Sequence, residues 1–161
     1  MNIISTPDLT GFDVVRWGIT IQEAKDALGD GVTMITPRES TGALVERLSK
    51  SVALDGSVVM HAGFCSRPQS DRIDAVRLVP PLFDHDSEAD RLAAYLELKT
   101  ICIAHYGRPV VEDAQLKNTE RVHQRMSWRY PSTSIELTHI EDKHGIGIVI
   151  LLYQSTGGSV K

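Results

Sequence analysis

The chain has 161 residues, 42% of them hydrophobic and 24% charged, with a formal net charge of −4. That length suits one domain, or two related halves sharing a core, and folding buries roughly 70% of the extended surface, so neither metal nor disulfide is needed for stability. The charge argues against a general nucleic-acid binder, which shows a basic excess, and two cysteines, Cys65 and Cys102, are too few for a disulfide framework.

The first fifteen residues, MNIISTPDLTGFDVV, show no basic region, no apolar run and no small-residue cleavage site. No stretch reaches the ~18 apolar residues that cross a bilayer. The expectation is a cytoplasmic protein without membrane contact. Pro7, Asp8 and Gly11 break any period, and Phe12, Val14, Val15 and Trp17 then form a short apolar approach. Thr20 and Glu23 make a capping box for a helix of barely two turns, with Ile21, Ala24 and Leu28 on one face and Gly29 as its stop. So short a helix is held by tertiary contacts, not propensity.

Thr36-Pro37-Arg38-Glu39 repeats the start signal, so 37–50 reads as a helix, with a strand over 43–48 as the competing reading. From Val52 the period becomes that of strands. Asp55-Gly56 signals a hairpin into the alternation Val58, Met60, Ala62, Phe64. SRPQSD over 66–71 is a turn, Ile73 to Val79 a strand, and Pro80-Pro81 closes this half.

Ser87 to Gly107 is the longest stretch with helical spacing. Leu92, Tyr95, Leu96, Cys102, Ile103 and Tyr106 lie close to one stripe, Ser87 is the N-cap, and Glu88 and Asp90 suit the positive end of the helix dipole. Arg108 to Glu120 reads as a connector. Residues 121–130 alternate, with Val122, Met126, Trp128 and Tyr130 opposite Arg121, His123, Arg125 and Arg129. Pro131-Ser132 turns the chain into a strand through Ile135 and Leu137, and Glu141 to Gly145 turns it again. Ile146 to Tyr153 is apolar on both faces except at Gly147, which marks a central, covered strand. Residues 155–161 read as a flexible tail.

The expected fold is α+β: one domain with pseudo-repeat halves over 12–81 and 82–154. Each half is a helix and a meander, together giving an antiparallel sheet of about six strands with the helices on one face. Trp17-Gly18-Ile19-Thr20, then Glu23-Ala24 and Leu28-Gly29, resembles the opening of small bacterial α+β modules of the SmpA/BamE-like and β-lactamase-inhibitor-protein-like kinds. Tyr106-Gly107-Arg108-Pro109, Trp128 and Ile135-Glu136-Leu137 look like the second half of similar two-unit proteins. The chain departs from the lipoproteins in showing no signal peptide and no cysteine near its start, so outer-membrane assembly is not carried over. The resemblance implies a fold that binds other proteins and carries no active site.

Three clusters invite chemistry. His139, Glu141 and His144 surround one turn and offer a metal alternative, although zinc needs three or four converging ligands and a hairpin end is expected to bring two. Asp84, Asp86, Glu88 and Asp90 form an acidic run that either solvates a loop and helix start or steers a basic partner. Arg121, His123, Arg125 and Arg129 form a cationic stripe that either meets acid on a partner or pairs with neighbours such as Glu136. Cys102 reads as core, and Cys65 near Arg67 has no assignable base. No nucleophile elbow, phosphate loop, dinucleotide fingerprint or zinc-protease motif is present. The expected function is a non-enzymatic protein-binding module without cofactor, of the immunity or inhibitor type or a homo-oligomer such as a homodimer. The alternative is a small-ligand or metal binder using the His139–His144 turn or the arginine stripe.

Overall fold

The computed structural model describes residues 9–36, 44–56, 58–81, 87–113 and 120–157. Asp13, at φ 54°, folds β1 (Gly11–Phe12) back on β2 (Val15–Arg16) and sends Phe12 and Val15 into the core. α1 (Ile21–Leu28) starts at the expected capping box, where the Glu23 amide donates to Thr20 Oγ1 at 3.1 Å and the Thr20 amide to Glu23 Oε1 at 3.0 Å. α2 (Glu88–Tyr106) starts at Ser87, whose hydroxyl accepts from the Asp90 amide, and stops at Gly107 with φ 77°.

The remaining strands are β3 (Thr33–Met34), β4 (Val45–Leu54), β5 (Val58–Ser66), β6 (Ala75–Val79), β7 (Val111–Asp113), β8 (Glu120–Arg129), β9 (Thr133–Asp142) and β10 (Gly147–Ser155). Among the described residues they form one antiparallel sheet in the order β3-β4-β5-β6-β10-β9-β8-β7, beside the separate β1–β2 hairpin. Each helix is followed by four strands in sequence, and the last strands of the two series, β6 and β10, pair at the middle of the sheet.

The fold is α+β and antiparallel, but the main sheet has eight strands where about six were expected. Val45–Leu54 is strand, which decides the described part of 37–50; residues 37–43 lie outside the described set. The connector after α2 contains β7, whose pairing with β8 supplies the order its low apolar content concealed. Ser155, read as tail, closes β10, while 158–161 lie outside the described residues.

The buried stripe of α2 also differs from its reading. Arg91, Tyr95, Leu98, Cys102 and Tyr106 are buried, whereas Leu92, Leu96 and Ile103 are exposed. A charged residue occupies the first inward position, because a carboxylate waits for it inside. α2 lies against β9 and β10 on the side carrying Ile135, Leu137, Val149, Leu151 and Tyr153. The hydroxyls of Tyr106 and Tyr153 bond at 2.9 Å, satisfying two polar tips in the core. No described helix is long and apolar enough to cross a membrane.

Candidate functional site

Alternation along β9 sorts its side chains by parity. Ile135, Leu137, His139 and Glu141 face α2, while Ser134, Glu136, Thr138 and Ile140 face away. Glu141 therefore enters the core as a charge and requires a partner there. Arg91, in the first turn of α2, supplies it through two bonds of 2.6 Å, Nε to Oε2 and Nη2 to Oε1, and also donates to the Gly145 carbonyl at 3.1 Å. His139 Nε2 lies 2.8 Å from Glu141 Oε2, and the Tyr95 ring covers the imidazole with centroids 5.6 Å apart. The side chains of Arg91, Glu141 and His139 are only 4%, 0% and 2% exposed.

Gly147, opposite Glu141 on β10, is the residue that makes room. A Cβ there would collide with the Glu141 carboxylate, so no larger side chain fits beside it. The Arg91 hydrogen bonds hold the Glu141 carboxyl below its ordinary range against the opposing effect of burial, with His139 adding to the lowering. An ionised carboxylate can only accept, so His139 donates to it through Nε2, and Nδ1 has no hydrogen-bond partner among the described residues. The triad is a sealed ionic lock, shut off from solvent.

His139 and Glu141 meet, but His144 does not join them. It is exposed on the turn after β9, where its amide donates to Asp142 Oδ1 at 2.8 Å. Among the described residues no three His, Cys, Asp or Glu side chains are placed to hold a metal ion. Both Glu141 oxygens are already engaged by Arg91 and His139. The Cys65 thiol is buried and pushed up to about 11 by desolvation, and Cys102 likewise to about 12, so neither is an ionised nucleophile.

The acidic run and the arginine stripe meet at one point. β8 carries an irregularity between Glu120 and Val122, and Arg121 beside it pairs with Glu88 at the start of α2. These two expected partner contacts thus answer each other. Asp90 lies in the capped first turn, and Asp84 and Asp86 lie outside the described residues.

His123, Arg125 and Arg129 stay on the face opposite Met126 and Trp128, where Arg125 Nη1 stands 3.8 Å from Glu136 Oε2. The cross-strand register extends this arginine face over the whole sheet. It joins Ile140 of β9, Ile148, Ile150 and Leu152 of β10, Arg77 and Val79 of β6, and Val59 and His61 of β5. Ile148 is 41% and Val59 54% exposed, so the apolar centre of this face meets water.

Arg91 and Gly147 were not singled out from the sequence as site residues. Their signals were an arginine four residues before Tyr95 on the inward side of α2, and a glycine interrupting an otherwise apolar strand. Compared with protein-family models, with curated proteins and with solved structures, the chain matches none of them.

Proposed function

We propose that the chain is a protein-binding module and that the arginine face of its sheet is the docking surface. The carrying observation is that face's anatomy: an apolar centre of Val59, Val79, Ile140, Ile148, Ile150 and Leu152, flanked by His123, Arg125 and Arg129. Apolar centres with charged rims are what protein partners recognise. In this reading both helices and the β1–β2 hairpin roof the other face. Supporting it, Lys50, Phe64 and Tyr153 share that other face, and they meet the α1 carbonyl of Leu28, the ring of Phe12 and α2 respectively.

The rim chooses the occupant. His123, Arg125 and Arg129 call for opposing carboxylates, so a partner with an apolar centre and an acidic rim fits better than a second copy laid with these residues over their own kind. An inhibitor or immunity protein works in this way, by occlusion and without chemistry of its own. The likeness of the Trp17-Gly18 opening to small bacterial binding modules points in the same direction.

The test compares wild type with Ile150→Glu and with an Arg125→Glu/Arg129→Glu variant, as baits and in light scattering. The expected result is a monomer that captures one acidic protein, releases it with rising salt, and loses it in both variants. A wild type that captures nothing its variants do not capture overturns the proposal. So does a stable dimer that Ile150→Glu dissolves.

A further inference from the structure

At the corner of the arginine face away from β8, a cavity of about 530 Å³ opens between β3, the start of β4 and β6. It is lined by Met34, Ile35, Thr36, Leu44, Val45, Glu46 and Arg77. This volume lies within the ~300–1,000 Å³ of ordinary small-ligand sites, and its wall is mainly apolar. Arg77 is half-buried, in mid-sheet, and its lateral neighbours Gly63 and Leu152 carry no charge. Among the described residues its guanidinium has no hydrogen bond or ion pair.

Glu46 lines the same cavity and lies beside Arg77, over its cross-strand neighbour Gly63, but makes no ion pair with the guanidinium. Its carboxylate lies over Gly63, where a Cβ would collide with it, and its Oε1 stands 4.0 Å from His61 Nε2. A partly desolvated cation beside apolar walls is costly unless an anion completes it, and a guanidinium matches a carboxylate through two parallel bonds. Glu46 on the same wall repels a second negative charge.

From this we infer that the cavity binds a monocarboxylate with an apolar body, its carboxylate on Arg77 and its chain along Met34, Ile35, Leu44 and Val45. The inference goes beyond the docking reading and stands or falls without it, because its ligand is a small molecule and its cavity lies off the apolar centre.

Sodium octanoate is the probe, titrated by calorimetry and amide NMR, with octanamide and inorganic phosphate as the neutral and polyanionic controls. Octanoate is expected to bind and shift the amides of residues 34–36, 44–46 and 77, while neither control does. Arg77→Met is expected to weaken octanoate at least tenfold, and Glu46→Gln to tighten it severalfold. Folding of each variant is read from the same amide spectrum. No octanoate shifts in wild type, equal binding of octanamide, or unchanged affinity in folded Arg77→Met overturns the inference. Should Arg77→Met not fold, weaker binding in Glu46→Gln overturns it and tighter binding upholds it.

Discussion

Glu141 and Glu136 sit on one strand five residues apart, an odd separation that places them on opposite faces, and each faces an arginine. Arg91 holds Glu141 by two 2.6 Å bonds in a site closed to water; Arg125 stands 3.8 Å from Glu136 with both side chains some 40% exposed. The same pair of groups therefore does two different jobs. Inside, either charge alone would be stranded, so the pair dictates how α2 seats on β9 and β10. Outside, water competes for both ions and weakens the hold of each on the other.

The sharpest way to break the comparison is to remove one inner charge. Glu141→Gln leaves Arg91 buried without a counter-ion and is expected to cost about 3–5 kcal/mol of stability in denaturant unfolding. The double change Arg91→Met with Glu141→Leu is expected to cost far less, since no ion is then stranded. The pair also has a pH signature. The folded Glu141 carboxyl titrates below its ordinary value of 4.5, so between the two values the unfolded state holds more protons. Its contribution is complete above about pH 4.5 and drains as pH falls through the folded value. The decline between pH 5 and pH 3 is expected to be shallower in Glu141→Gln than in wild type. An equal slope would remove Glu141 from the account.

Gly147→Ala comes next. The added methyl must displace the Glu141 carboxylate, at an expected cost of about 1–3 kcal/mol. The same change made in a Glu141→Ala background should cost much less, and the shortfall from additivity measures the contact directly. Equal costs in both backgrounds would mean that Gly147 answers to backbone and not to the carboxylate.

The smallest effect belongs to the outer pair. Glu136→Gln is expected to change stability by less than about 1 kcal/mol, the range of exposed pairs, and high salt should erase even that. A loss comparable to that of Glu141→Gln would end the distinction between the faces.

Local signals carried far into the structure. The Thr20–Glu23 box, the Ser87 and Gly107 caps, the Asp55-Gly56 hairpin and the inside–outside order of Met126 and Trp128 against Arg125 and Arg129 all depend on neighbours within a few residues. Such features are legible because spacing alone imposes them. Of the α2 stripe, Tyr95, Cys102 and Tyr106 are buried as expected, while Arg91 is not legible, for the opposite reason. Arg91 faces inward only because Glu141, fifty residues away, faces it, and Gly147 is small only because that carboxylate needs space.

Amphipathic spacing, caps and turns thus determined two helices and a run of antiparallel strands, since each is decided within one or two turns of chain. The tertiary structure alone decided that β6 and β10 would pair at the middle of the sheet, that His139 and Glu141 would serve as an interior lock, and that Arg77 would line a cavity. These facts depend on groups distant in sequence, and a charge keeps or loses its water according to what the fold brings beside it.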